Sequence, residues 1–297
     1  MKIILLDGGL GNQAFQYIFC RFLEENSGDV VYLDDRYFFN EQKTHNGYEL
    51  NKVWNLKPNL LSEYFDADVW DEILKITKED MHIIDFLNAN GLNMLGVSEG
   101  SMLSASCHPP HNKPYKSVEC NGYHPDIAKF PGNVYYYGYW INGNYFKSLL
   151  DKIIVELTFP KFDDDSNKNL AGQITSCSSV GVHVRRGDFV DLGWALSPGV
   201  YNVAVPQFKM RIKNPVFFIF SDDITWCEEN RKSLGFERSD EIVYVSGNKG
   251  ENAFRDMQLM TLCEHLIIAN SSFSYLAALL NRNPNKMTAN PTTRLIV

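Results

Sequence analysis

Val182-His183-Val184-Arg185-Arg186-Gly187-Asp188 ends a short apolar run in two guanidinium groups, a glycine and a carboxylate. A guanidinium keeps its charge and grips phosphate with a planar fork of N–H donors, so a strand ending this way can hold a phosphorylated ligand. A plain surface Arg–Asp pair would leave the same trace. His183 alternates with Val182 and Val184, and is either a satisfied core histidine or a group reaching the ligand. Asn270-Ser271-Ser272-Phe273-Ser274 joins two apolar runs, where hydroxyls and the N–H groups of a helix start suit an anion; the bland reading is an N-cap. Asp7-Gly8-Gly9-Leu10-Gly11-Asn12-Gln13 is a glycine turn that permits positive φ and close approach to a ligand. It is neither a dinucleotide fingerprint nor a P-loop, and alone it is most simply a turn. Three anion-friendly turns with an arginine pair among them point to a nucleotide diphosphate. Covalent catalysis has no support, since no G-x-S-x-G elbow or paired Cys–His frame is present.

Those turns need strands to end on. Residues 2–6, a helix from the glycine turn to about residue 26, and residues 30–33 form a βαβ unit. Residues 60–65, 70–76 and 79–87 show short amphipathic helical spacing. Residues 98–131 hold many Pro, Gly, Asn and His and read as irregular. The aromatic run 134–140 predicts a buried strand, and 146–157 a helix stopped by Pro160. Asp163-Asp164-Asp165-Ser166 is a polar break. After it, strands at 179–184, 216–220, 242–245 and 266–269 alternate with helices at 200–212, 224–234, 252–263 and 273–280. Pro206 must kink the first of these helices or mark its first turn. The pattern predicts an α/β protein of two Rossmann-like lobes facing a cleft, residues 1–160 and 161–297.

Composition narrows the classes. With 297 residues, 44% hydrophobic and 22% charged, the chain is globular; a net charge of -8 argues against a general nucleic-acid binder. The apolar run after Met1-Lys2 is four residues, too short for a signal core, and no run spans a membrane, so the expectation is a cytoplasmic protein. Cys20, Cys177, Cys227 and Cys263 read as small hydrophobes rather than disulfide partners. Cys107, His111, Cys120 and His124 form C-x3-H-x8-C-x3-H, which has zinc-competent side chains but not a usual zinc spacing. The expectation is no metal and an irregular loop.

Gly8 to Tyr17 resembles the opening of glycosyltransferase family 11, the α-1,2-fucosyltransferases. His183-Val184-Arg185-Arg186-Gly187-Asp188-Phe189 is similar to that family's H-x-R-R-x-D motif, shared with α-1,6- and protein O-fucosyltransferases. Residues 217–223 with Trp226-Cys227, and 256–280, are similar to its later blocks. Residues 36–130 carry none of the blocks on which the resemblance rests. Phe189 stands where the family usually has Tyr, and Tyr275-Leu276 replaces its Trp-Trp pair. The resemblance implies a GT-B fold and an inverting transfer of fucose from GDP-fucose to the 2-hydroxyl of a terminal galactose or related sugar, with no cofactor or metal. Lobe 161–297 would bind the donor and lobe 1–160 the acceptor oligosaccharide, which leaves room for peripheral association with a lipid-linked glycan. Arg185 would hold the β-phosphate, with Ser272 and neighbouring amides assisting, and Arg186, Ser271 and Phe273 would also bind substrate. His183, Ser221, Asp222 and Asp256 would lie near the nucleotide, with Asp256 accepting from guanine. Gly9, Gly11 and Asn12 would line the donor from the other lobe. The general base is open between Asp188 and Asp191 near the arginines and Asp34 and Asp35 at a strand end of the other lobe. Three alternatives stand beside this reading. One is a metal-dependent GT-A transferase using Asp66-Ala67-Asp68 or Asp163-Asp164-Asp165. Another is a non-catalytic nucleotide-sugar or glycan-binding protein. The third is the same fold making another linkage.

Overall fold

A computed structural model describes residues 1–39, 45–76, 82–100, 115–290 and 295–296. They divide into two compact units, Met1–Thr158 and Phe159–Val297.

The first unit opens with β1 (Lys2–Leu5), α1 (Leu10–Ser27) and β2 (Val31–Asp34). Phe15, Ile18, Phe19, Phe22 and Leu23 recur at helical spacing and are buried, which seats α1 on the sheet. Then follow α2 (Leu50–Trp54), α3 (Ala67–Ile76), α4 (Ile83–Ala89), β3 (Leu95–Glu99), β4 (Tyr115–Val118), β5 (Val134–Tyr137), α5 (Gly143–Ser148) and α6 (Leu150–Glu156). The sheet is wholly parallel, in the order β2-β1-β5-β3-β4. The aromatic run forms its central strand, with Tyr135 and Tyr136 both fully buried.

Three expectations for this unit differ from the structure. The helix expected at 60–65 is only a 3-10 turn, Leu61–Glu63. The helix expected at 146–157 is two, broken at Leu149 (φ -125°, ψ 17°). The segment read as irregular contains β4 and adjoins β3. Neither strand has an apolar run. Ser98 and Glu99 of β3 are buried polar residues, and the Glu99 carboxylate accepts N–H bonds from Asn121, Tyr139 and Trp140 at 3.0, 2.8 and 2.7 Å. Burial pushes its carboxyl upward against those three bonds.

The second unit contains α7 (Asp165–Thr175), β6 (Ser179–Val184), α8 (Gly187–Asp191), α9 (Pro198–Arg211), β7 (Val216–Ser221), α10 (Ile224–Glu229) and β8 (Glu241–Tyr244). It closes with α11 (Phe254–Leu262), β9 (His265–Ile267), α12 (Ser272–Leu280), β10 (Thr288–Asn290) and β11 (Leu295–Ile296). The sheet order is β11-β10-β9-β6-β7-β8, parallel except for the β10–β11 pair. Central β6 is buried along its whole length, as its continuous apolar run requires. The polar break at Asp163-Asp164-Asp165 begins a helix instead: Asp164 Oδ1 accepts the Asn167 N–H at 2.7 Å and caps α7. Pro198 takes the first turn of α9, capped by Ser197, and Pro206 lies inside that helix.

Each unit is thus a Rossmann-like α/β lobe. In the second, the chain runs from β6 outwards to β7 and β8, then returns to place β9 on the other side of β6. The reversal between β6 and β9 is a topological switch point, where ligands of open α/β sheets bind beyond the strands' carboxyl ends.

Candidate active site

Arg185 follows the last residue of β6. The β6–β7 register pairs Val184 with Ser221, and one step further Arg185 meets Asp222: Nη1 lies 2.8 Å from Asp222 Oδ2. Nη2 lies 2.5 Å from Asp188 Oδ1, and the guanidinium carbon stands 5.1 Å from the Phe189 ring centroid. Two carboxylates and an aromatic face fix the plane of the group, while three of its five N–H donors stay uncommitted among these contacts. The two ion pairs differ. Asp222 also accepts the backbone N–H of Arg186 at 2.8 Å, whereas Asp188 is about half exposed. Asp188 is therefore the exchangeable partner, since an exposed pair of this kind is worth little.

Gly187 is required by this packing. Its φ is +22°, and a Cβ there would stand 2.6 Å from Asp222 Oδ2. Arg186 points elsewhere: its guanidinium lies 3.7 Å above the Trp226 ring centroid and its Nε 3.4 Å from Asp223 Oδ2. Its charge is thereby engaged by β7–α10 residues. Ser221 Oγ accepts the Asp223 N–H at 3.0 Å, which shapes the same turn.

His183 is buried, although it alternates with Val182 and Val184, because both faces of β6 are covered. Its ring centroid lies 5.8 Å from that of Phe273, and its carbonyl accepts the Tyr201 hydroxyl at 3.0 Å. Burial, with the Arg185 charge adding to it, pushes its pKa down to about 3, so the imidazole is neutral at working pH. Its Nδ1 is a buried polar atom with no partner among the described residues.

The cluster after β9 stands beside this. The β6–β9 register pairs Val182 with Ile267; carried forward it sets Arg185 level with Asn270. Asn270 Nδ2 donates to the Trp194 carbonyl at 2.9 Å, while its Oδ1 is buried with no partner among the described residues. Ser271 caps α12 by accepting the Phe273 N–H, and Ser274 Oγ accepts the Ala269 N–H at 3.2 Å. Ser272 is the first residue of α12. His183 Nδ1, near the end of β6, and Asn270 Oδ1, in the turn after β9, are both buried without a partner among the described residues, and a water or a ligand would satisfy them.

Asp256 lies on α11, half-buried, and accepts from Asn248 Nδ2 at 2.8 Å. Burial pushes its carboxyl up to about 7 against that one hydrogen bond. Asp191 is exposed at the end of α8.

In the first unit, Gly8 has φ +80° and a Cβ there would stand 2.5 Å from Asn12 Nδ2. Gly9 caps α1 in extended geometry, and Gly11 is buried in its first turn. Gln13 Nε2 donates to the Gly8 and Gly47 carbonyls at 2.9 and 2.8 Å, and Gln16 Nε2 to Gly138 O at 3.1 Å. The turn is thus built by two buried glutamines. Asp34 is buried beneath Arg36 and Tyr135, and Asp35 accepts the Ser62 N–H and hydroxyl at 3.1 and 2.6 Å.

Among the described residues no group of three or more His, Cys, Asp or Glu side chains could hold a metal ion. Cys120 is exposed and His124 Nε2 lies 3.1 Å from the Glu119 carbonyl; Cys107 and His111 lie outside the described residues. The Asp-x-Asp sequences have other duties. Asp164 caps α7, and Asp163 pairs with Arg255 at 2.6 Å; Asp68 lies in the first turn of α3. No helix among the described residues is long and apolar enough to cross a membrane.

Residues 104–294 match the sequence profile of glycosyl transferase family 11. The chain is 32% identical over 302 residues to an α-1,2-colitosyltransferase of Escherichia coli, a match covering 98% of this chain and 92% of that protein. The chain belongs to glycosyl transferase family 11. The galactoside 2-alpha-L-fucosyltransferase Sec1 of Mus musculus is 30% identical over 200 residues, with 61% of this chain covering about half (53%) of that protein. The fold is like that of the fucosyltransferase NodZ from Bradyrhizobium, with a TM-score of 0.50 at 13% identity, covering 97% of this chain and 94% of that one. It is also like Arabidopsis thaliana FUT1 in complex with GDP, with a TM-score of 0.51 at 13% identity, over 97% of this chain and 70% of that one. The two lobes are those of the GT-B class. The family 11 match takes in the whole Arg185–Ser272 constellation, while the glycine turn of residues 8–12 precedes it.

Of the residues the sequence singled out, the strand order sets His183, Arg185 and Asp222 beside the Asn270–Ser271 turn, whereas the Arg186 side chain turns away to Trp226 and Asp223. It missed the duty of Asp222 as the anchor of Arg185, and of Trp226 as the seat of Arg186. The signal was present in Asp222-Asp223 closing a strand three residues before a tryptophan, but the pairing joins Arg185 to Asp222, far apart in the chain, and needs the register of β6 on β7.

Proposed function

We propose that this protein transfers L-fucose from GDP-fucose to the 2-hydroxyl of a terminal galactose or related sugar, inverting the anomeric centre without a metal. The unit Phe159–Val297 takes the GDP donor, and Met1–Thr158 contributes the acceptor side. The carrying observation is Arg185, fixed at the carboxyl end of β6 and level with the Asn270–Ser272 helix start across the switch point. As GDP departs, charge grows on the β-phosphate, and a preoriented guanidinium with helix-start amides stabilises it. The β-phosphate takes the place of Asp188 on Arg185, since that pair is exposed, while Asp222 keeps its hold. The released Asp188 carboxylate is then a candidate to accept the acceptor hydroxyl proton, as is exposed Asp191. A lipid-linked glycan is an acceptor class that would draw the protein to a membrane surface.

The likeness to a colitosyltransferase, over 98% of this chain and 92% of that protein, favours colitose as a second sugar to test. Incubation with each GDP-sugar and an array of terminal β-galactosides, followed by NMR of the product, decides donor, linkage and anomeric outcome together. Products linked anywhere but the 2-hydroxyl, or a retained anomeric configuration, would overturn the reading.

Metal independence is tested in the same assay. Transfer is expected to persist in excess EDTA with no more than slight stimulation by Mg²⁺. Complete loss, restored by Mn²⁺ and abolished by substituting Asp66 and Asp68 or Asp163 and Asp165, would replace the guanidinium mechanism by a metal one.

Asp256 is assigned to guanine, whose adjacent N–H donors suit an ionised carboxylate. Its carboxyl ionises at about pH 7, so GDP affinity should fall as pH drops through 7, where the group gains a proton and loses acceptor capacity. The Asp256→Asn variant should lose both this pH dependence and the preference for GDP over ADP and UDP. Calorimetric titration of the three nucleotides between pH 6 and 8.5 checks it; equal binding of all three by the wild type would return Asp256 to an ordinary helix residue.

A further inference from the structure

The chain between α8 and α9 holds a tryptophan in the open close to Arg185. Trp194 is 58% exposed, and Val190 and Leu192 just before it are exposed as well. A single apolar side chain on a loose loop needs no explanation, but this segment is tied down. The Trp194 and Ala195 N–H groups both donate to the Phe189 carbonyl, at 2.8 and 2.9 Å. Gly193 turns the chain with φ +69°. Asn270 Nδ2, from the turn after β9, donates to the Trp194 carbonyl at 2.9 Å, and Leu196 packs against the core of the lobe. The backbone thus keeps the indole at the surface in one place.

The indole is also joined to the candidate site. Its ring centroid lies 5.7 Å from that of Phe189, with the two planes at 88°, and the Phe189 ring centroid lies 5.1 Å from the Arg185 guanidinium carbon. One phenyl ring therefore links Trp194 to the arginine. The chemistry around the indole narrows what covers it. Three exposed apolar side chains fall far short of the roughly 800 Å² a side of a stable protein interface. Asp188 and Asp191 are exposed on the same stretch, and their charge repels an anionic lipid surface. A sugar suits both features, because its hydroxyls donate to carboxylates while a C–H face of its ring lies flat on an aromatic one. In a β-galactoside the axial 4-hydroxyl leaves C3–H, C4–H and C5–H as one apolar patch on the opposite face. The equatorial 2-hydroxyl stays at the edge of the ring. The equatorial 4-hydroxyl of a glucoside breaks that patch.

Resting on the reading of a terminal galactose as acceptor, we propose that Trp194 is the platform on which the acceptor's galactose ring stacks, and hence a specificity-determining residue for the acceptor. The tied backbone holds the indole in place before the acceptor arrives, so little ordering is lost on binding. Phe189 touches both groups, which gives the platform a set position relative to Arg185.

Kinetics with GDP-fucose and methyl β-galactoside or methyl β-glucoside are measured for the wild type, Trp194→Ala, Trp194→Phe and Leu192→Ala. GDP calorimetry, hydrolysis of GDP-fucose without acceptor, and melting by circular dichroism accompany them. Trp194→Ala should raise the galactoside KM about tenfold, the cost of truncating an aromatic anchor, and narrow the preference for galactoside over glucoside. Donor KM, GDP affinity and acceptor-free hydrolysis should keep their wild-type values, which a tryptophan that merely propped Phe189 and Arg185 would not allow. Trp194→Phe should recover most of the loss, and Leu192→Ala should leave the galactoside KM unchanged. The proposal is overturned if Trp194→Ala keeps the wild-type galactoside KM, or if GDP affinity and acceptor-free hydrolysis fall with it. It is equally overturned if Trp194→Phe is as impaired as the alanine variant, or if Leu192→Ala weakens the acceptor as much, which would make the stretch a general apolar contact. A wild type that transfers to no galactoside instead removes the reading of the acceptor, and the inference with it.

Discussion

Arg185→Ala is expected to lower kcat/KM by about two to three orders of magnitude, the loss of about 3–4 kcal/mol that follows if one group stabilising the growing charge is removed. The size follows from how the guanidinium is held. Asp222 takes one terminal nitrogen and Phe189 covers the face, so the guanidinium keeps its orientation when the β-phosphate displaces Asp188 from the other nitrogen. Arg185→Lys should fail nearly as badly. An ammonium is a point charge, and it cannot hold Asp222 and present a planar fork to the phosphate together. Arg186→Ala should cost less, because its guanidinium is stacked on Trp226 and paired to Asp223. Steady-state kinetics with GDP-fucose and a β-galactoside check this; a tenth or more of wild-type kcat/KM in both Arg185 variants would remove the group from the mechanism.

That Arg185 could be picked from sequence has a physical cause. A strand buried on both faces must be a continuous apolar run, so β6 and β7 announce themselves, and charged residues at their ends stand out. The same logic hides β3 and β4. Glu99 is buried because three backbone N–H groups converge on it, and those come from residues 22 to 41 positions away; no local pattern contains that. The Asp163–Asp165 run looks like a linker by composition, yet Asp164 caps α7 and braces the Asn167–Asn248 pair through contacts made only once β8 and α7 pack. His183 could be read either way from alternation alone, since alternation distinguishes the faces of a strand only when one of them is wet. The lobes were legible as local periodicity. The candidate site was legible as residue types at strand ends, but the carboxylates that hold its arginines were not.

Asp34 shows the opposite error, a residue whose place in sequence suggested chemistry and whose surroundings assign it to stability. It ends β2 and was a candidate base. Its side chain is fully buried, with Arg36 Nε at 3.2 Å and the Tyr135 hydroxyl donating at 2.7 Å. Burial alone would lower the Arg36 pKa, but the Asp34 carboxylate and the surrounding tyrosines hold it above its ordinary value. Burial, then the Asp34 charge, pushes the Tyr135 hydroxyl up as well. An aspartate engaged in this way has no reason to take a proton from an acceptor. Asp34→Ala leaves Arg36 charged in the interior with its counter-ion gone, and should destabilise the unit Met1–Thr158 by about 3–5 kcal/mol. Replacing both members, Asp34→Ala with Arg36→Met, should recover much of the loss, because removing a buried pair entirely is far less costly than orphaning one charge. Urea unfolding of the three proteins, followed by aromatic fluorescence, distinguishes the roles. A stable Asp34→Ala protein whose kcat collapses would restore Asp34 as the base; a shifted midpoint, repaired in the double variant, would place it in the core.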